Sequence, residues 1–184
     1  MDQGAMDYQC FLTGEEEGLT RIIRDHKDGL MLYINGFVQN IVVAEDLTEE
    51  TFVKLVMKKP RFLSKCSFRT WLYSIGRNTA LSYLRCKRIT DVSLDTCGEL
   101  MDEVTDLERR YIQKESSYAI HSIMKKLKPE YQHVLWLYYF EDFSHKEIAQ
   151  IIGKSVHNVE VLTYRARQAL KAKLLEEGFC YDEL

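Results

Sequence analysis

The chain has 184 residues, 46% hydrophobic and 29% charged, a balance that excludes wholesale disorder and leaves room for one ordinary domain or two small ones. No apolar run approaches the roughly 18 residues of a membrane span, the N-terminus lacks the basic start and apolar stretch of a signal peptide, and the five cysteines (10, 66, 86, 97 and 180) are odd in number with no C-x-x-C spacing, which argues against a disulfide scaffold or a zinc ribbon and for a reduced, cytosolic chain. The net charge of −3 conceals strong segregation: residues 56–90 hold nine Lys/Arg and no acid, between a segment 1–55 with four bases against 11 acids and a segment 91–124 with three against eight.

Such an acid-free block between acidic neighbours reads as a surface for a polyanion, against the plainer reading of a solvated basic helix. Only two prolines and nine glycines punctuate the chain, which favours long helices. From about 20 to 41, Leu30, Tyr33, Ile34, Phe37, Val38 and Ile41 recur at three and four residues and predict an amphipathic helix. Residues 44–57 predict a second helix, with acids near its start where they favour the helix dipole, ended by Pro60. A third spans 67–88: Phe68, Trp71, Leu72, Ile75 and Thr79 share one side and Arg77, Arg85 and Arg88 the other, and Trp71 reads as core. Residues 91–108, with seven acids and no Lys or Arg, read as a linker between two helical lobes. Helix resumes at about 109–127, Pro129 stands where a new helix places its first residue, and 130–140 is apolar enough to be largely buried.

The most specific signal lies in 144–167. Ser144 and Glu147 form a capping-box pattern, Ala149 is small where a second helix must cross, and Gly153 permits a sharp turn. Ser155 then opens a helix with Val156, Val159, Leu162, Ala166 and Leu170 inward. This is the spacing of a helix-turn-helix, whose second helix enters the major groove. Its outward side carries His157, Glu160, Val161, Tyr164 and Gln168, with Arg165, Arg167, Lys171 and Lys173 at its flank and end. Such polar groups can read base edges while the bases hold phosphates. Helix pairs with Ala and Gly at these offsets also occur as plain packing units.

In order and spacing, AEDLTEETF, FRTWLYSIGRNTALSYLR and a C-terminal motif ending in YRARQALKAKL resemble an extracytoplasmic-function sigma factor of bacterial RNA polymerase, over about residues 20–175. The resemblance implies an all-α chain of two small helical domains: a region 2-like domain at 20–89, a linker at 90–115, and a region 4-like helix-turn-helix domain at 116–175. It implies a core-polymerase surface at Asp46, Leu47, Glu49, Glu50, Thr51, Phe52 and Leu55, where an acidic face around Phe52 suits a basic partner. It places −10 recognition and melting in the loop 60–67 and the following helix, through Arg61, Ser64, Lys65, Cys66 and Phe68, with Arg77, Asn78, Arg85, Lys87 and Arg88 for phosphates. Which loop residue reads the flipped base stays open, and Phe68 also fits a core position. The −35 reader is the helix-turn-helix 144–167, through Ser155, His157, Asn158, Glu160, Val161, Tyr164, Arg165 and Arg167.

Many members carry a Lys-Ser-Arg trio where this chain has Glu160-Val161-Leu162, while Arg165-Ala166-Arg167 is retained. Glu160 either accepts from a cytosine or repels a phosphate. The acidic linker either follows the path of nascent RNA or is a solvated tether. The implied partners are core RNA polymerase, promoter DNA and an anti-sigma factor, with no membrane insertion, cofactor or metal. The competing reading is a stand-alone helix-turn-helix regulator, which leaves the acid-free block unexplained. An enzyme is disfavoured, since no Gly-rich phosphate loop, H-x-x-x-H or paired catalytic acids occur.

Overall fold

The computed structural model describes residues 2–90 and 115–177, and the side chains of 2–87 and 120–177. The linker and the side chain of Arg88 lie outside the described residues. Among those described the chain is helical without strands: α1 Gln3–Leu12, α2 Glu16–Val38, α3 Ile41–Lys58, α4 Phe68–Thr90, α5 Glu115–Met124, α6 Pro129–Tyr139, α7 His145–Ile152 and α8 Val156–Glu176.

Helices α1 to α4 form the first lobe. Its core is the apolar stripe of α2 (Ile22, Leu30, Tyr33, Ile34) packed on Leu47, Phe52 and Leu55 of α3 and Phe68, Leu72 and Tyr73 of α4. Two helix boundaries differ from the sequence expectation. α2 stops at Val38, because Gln39 takes a left-handed conformation (φ 50°), and Asn40 caps α3 by accepting from the Val43 N–H at 3.1 Å. Ile41 therefore opens α3 and does not extend α2.

The sequence reading assigned no element to residues 3–12. They form α1, capped by Asp2, with Tyr8 and Phe11 buried in an aromatic cluster with Phe68 and Trp71. Asp7, 3% exposed, accepts from Arg21 Nε at 2.6 Å and ties α1 to α2.

Helices α5 to α8 form the second lobe, with α8 packed on α5, α6 and α7 around Ile148, Val159, Ala166 and Leu170. The two lobes touch along α4–α7 and α2–α6.

Candidate functional site

Three surfaces gather the residues singled out in the sequence. The first is the outer face of α3. Asp46, Glu49 and Glu50 are exposed there, whereas Leu47, Thr51, Phe52 and Leu55 are buried. Those four shape the helix from beneath: spaced at three and four residues, they belong to the core stripe. Apolar groups also reach solvent on α3, among them Val53 and Met57, 54% and 77% exposed. With Ile23, Phe52 and Val56 they line a shallow groove between α2 and α3, rimmed by Lys27 and Glu49. The signal for Val53 and Met57 was available, since they fall one position beyond the buried Phe52 and two beyond Leu55. Glu50 pairs with Lys54 at 2.8 Å and Glu45 with Lys27 at 3.0 Å, so two of the acids near this face are already partly compensated.

The second surface is the loop 60–67 and α4. Arg61, Ser64 and Lys65 are exposed, and so is Leu63 at 55%, an apolar tip that the sequence reading passed over. Phe68 is fully buried against Tyr8, Phe62 and Trp71, so it supports the loop from within. Trp71 lies half-buried in the same cluster. Burial, with nearby Asp2 and Glu147 adding to it, pushes the Cys66 thiol up, which makes it a poor nucleophile. Along α4, Asn78, Arg85 and Lys87 are exposed and Arg77 half-buried.

The third surface is the helix-turn-helix. Ser144 accepts from the Glu147 N–H while the Glu147 carboxylate accepts from the Ser144 N–H at 3.0 Å, a complete capping box. Burial works against the charged Glu147, but hydrogen bonds from Ser144, Thr70 and Ser67 outweigh it and hold its pKa below the usual carboxylate range. Gly153 makes the turn at φ 68°, and Ser155 caps α8 by accepting from the Asn158 N–H at 3.2 Å. Val159, Ala166 and Leu170 face inward as expected. Val156, also expected inside, is 40% exposed, while Thr163 is buried in its stead.

Outward stand His157, Asn158, Glu160, Tyr164, Arg165 and Arg167, beside the half-buried Val161. The Arg167 guanidinium lies over the Tyr138 ring at 4.7 Å, which restrains it before any ligand arrives. Among the described residues no group of His, Cys, Asp or Glu is arranged to hold a metal ion, and no helix is long and apolar enough to cross a membrane.

Two family models match the chain. Residues 22–89 match the model of sigma-70 region 2, and residues 117–170 that of sigma-70 region 4. The chain is 28% identical over 162 residues to RNA polymerase sigma factor YlaC of Bacillus subtilis (strain 168), covering 86% of this chain and 92% of that protein. It is 30% identical over 131 residues to ECF RNA polymerase sigma factor SigM of the same organism, covering 71% and 78%. Two solved structures share the fold. One is CnrH in complex with the cytosolic domain of CnrY (TM-score 0.68, 23% identity, 97% of this chain and 100% of that one). The other is the sigma factor RpoE with the anti-sigma factor NepR from Bartonella quintana (TM-score 0.62, 18% identity, 85% and 96%). The chain belongs to the extracytoplasmic-function sigma factors of the sigma-70 family and serves promoter-specific transcription initiation as an alternative sigma factor.

Proposed function

We propose that the three surfaces divide the work of initiation among themselves. The exposed acids Asp46, Glu49 and Glu50 of α3, together with Val53 and Met57, dock on core polymerase, while the buried Leu47, Thr51, Phe52 and Leu55 hold that face in shape. Opposite charge steers the encounter and the apolar groove supplies the desolvated centre. Arg61, Ser64 and Lys65, beside the half-buried Cys66, meet the −10 strand, with buried Phe68 supporting them from beneath. Arg77, Asn78, Arg85, Lys87 and Arg88 neutralise its backbone. In the second lobe, His157, Glu160, Val161 and Tyr164 read −35 base edges from the major groove, while Ser155, Asn158, Arg165 and Arg167 fix the register on phosphates.

The observation that carries this reading is the separation of charge in one folded chain: a basic loop and helix with no acid of their own, an acidic face on a different helix, and a helix-turn-helix. A stand-alone regulator has no use for the first two. The chain acts as an initiation factor and not as a catalyst, in the cytoplasm where polymerase works. Because one structure of its fold is of a sigma factor in complex with an anti-sigma factor, and another is of CnrH in complex with the cytosolic domain of CnrY, an anti-sigma factor is a further proposed partner. The test is run-off transcription by bacterial core polymerase on a library of promoter-length DNA. Start sites that need the chain support the reading and yield both promoter elements; silence, with no retention on core, overturns it.

A further inference from the structure

We propose that Asp2 and Tyr8 are positioning residues for −10 recognition, gripping the loop 60–67 at both ends from α1; this rests on the assignment of that loop to the −10 element. The Tyr8 hydroxyl donates to the carbonyl oxygen of Pro60, where the loop begins, at 2.8 Å. The Asp2 carboxylate accepts from the backbone N–H of Phe68, where the loop ends, at 2.8 Å through Oδ2, while its Oδ1 accepts from the Ala5 N–H at 2.8 Å and caps α1. One short helix thus holds the residue that opens the loop and the residue that closes it.

Three further observations fit a loop held in one shape. Ser64 sits at φ 52°, a left-handed conformation that a residue with a side chain keeps only when its surroundings over-determine it. Phe62 rests on Phe68 and Trp71 with ring centroids 5.9 and 5.2 Å away, on the same cluster that the Tyr8 ring joins at 5.4 Å. A Cβ at Gly4 would lie 2.6 Å from the Phe68 ring, itself fully buried, so glycine lets α1 approach closely enough for Asp2 to reach its target. The loop is therefore fastened below and at both ends while Arg61, Leu63, Ser64 and Lys65 stay exposed above. A loop ordered beforehand does not lose that freedom when the nucleic acid binds. Burial pushes the Tyr8 hydroxyl up to about 12, so it stays a donor throughout the working range. Asp7, by contrast, serves the packing of α1 on α2 through Arg21.

The test compares the full chain with Tyr8→Phe, Asp2→Asn and the double variant, each reconstituted with bacterial core polymerase on a randomised promoter-length library. Tyr8→Phe deletes one donor. Asp2→Asn leaves a single carbonyl, which serves the α1 cap or Phe68 but not both, because its amide nitrogen cannot accept. The double variant is expected to lose about five- to tenfold in transcript, as two ordinary hydrogen bonds imply. Its base preference relaxes at the −10 half and stays intact at the −35 half, with retention on core unchanged. If the double variant keeps its −10 preference while Ser64→Ala and Lys65→Ala change it, the grip is refuted and the loop assignment stands. If the loop variants also leave the −10 preference unchanged, the assignment falls and the grip with it. A uniform loss, with weaker core retention and a lower unfolding midpoint, reduces both residues to a role in the fold and overturns the proposal.

Discussion

Arg69 of α4 and Glu141, in the turn after α6, form an ion pair that joins the two lobes. The Glu141 side chain has no exposure, and it also accepts from the Tyr73 hydroxyl at 2.6 Å and Trp136 Nε1 at 3.2 Å, while Arg69 donates to the Glu141 carbonyl at 2.7 Å and lies over the Phe143 ring at 4.5 Å. Beside it, Ser67 and Thr70 reach the Glu147 carboxylate at 3.3 Å each, and Phe37 stacks on His133 at 3.7 Å. The start of α4 is thereby docked on the first helix of the helix-turn-helix. Elements at −10 and −35 lie roughly 85 Å apart on a duplex that rises ~3.4 Å per base pair. A compact chain of this length has a radius of gyration of about 16 Å. On the proposed division of work, the −10 and −35 surfaces cannot both engage while this contact is closed.

Arg69→Met keeps the aliphatic stem and removes the charge, and it should open the free chain. Charged hydrogen bonds of this kind are worth about 1.5–3 kcal/mol each, and the Arg69 side chain is about a third exposed, so a shift toward the open form of about tenfold is expected. Small-angle scattering should show a larger radius of gyration for the variant than for the native chain. Equal radii, with equal unfolding midpoints, would show that the pair does not hold the lobes together.

The lobe contact should also weaken in acid. Burial, with Arg77 nearby, pushes the pKa of His133 down to about 4, against a hydrogen bond with Gly36 and the charge of Glu130, and its Nε2 is buried with no partner among the described residues. The folded chain therefore resists a proton that the unfolded chain takes up near the ordinary value of 6.5. The corresponding stability is complete above that pH and is lost as pH falls toward 4, by about 2 kcal/mol between pH 7 and 5. Buried His121, lowered to about 3, adds a loss of the same sign. In His133→Phe the difference in unfolding free energy between pH 7 and pH 5, read from denaturant titrations, should shrink by about that 2 kcal/mol. An unchanged difference would place the acid sensitivity elsewhere.

Local periodicity made much of this architecture readable. Leu30 and Ile34 repeat at the helical period and are fully buried, and Ser144 with Glu147 and Ser155 place the caps of α7 and α8. What periodicity cannot carry is partnership across the chain. Arg69 finds Glu141 72 residues away and Tyr8 finds Pro60 52 residues away, and neither end looks unusual by itself. α1 is a partial exception: Ala5, Tyr8 and Phe11 recur at three residues and are buried, but the polar ties of Asp2, Asp7 and Tyr8 to partners elsewhere are not visible locally. Acids surround Phe52 in sequence and suggest an exposed face, but its spacing from Thr48 and Leu55 marks the inner stripe of α3, where it is buried.

The α3 face gives a prediction about polymerase that is independent of DNA. Glu49 and Met57 both border the α2–α3 groove, one by charge and one by apolar area, and neither is buried. Glu49→Lys should slow association with core and make it less sensitive to salt, while Met57→Asp should speed dissociation. Losses of about tenfold each are expected in retention on core, with the unfolding midpoint unaltered because both side chains stand in solvent. Retention that survives both changes would move the docking surface off α3.

Arg85 and Arg165 allow the two proposed DNA surfaces to be told apart by salt. Both are exposed, one on α4 and one on α8. Each phosphate contact contributes about 0.9 to the slope of log affinity against log salt on duplex and about 0.7 on a single strand. Arg165→Ala should therefore reduce the slope for binding a −35 duplex by about one and weaken binding roughly equally across sequences. Arg85→Glu should leave that duplex slope untouched and lower transcription most at low salt, the deficit against the native chain narrowing as salt rises, by weakening the hold on the opened −10 strand, with core retention intact. The same assays with the substitutions exchanged provide the control. Were Arg85→Glu to lower core retention as much as transcription, the basic face of α4 would belong to the polymerase contact and not to the DNA.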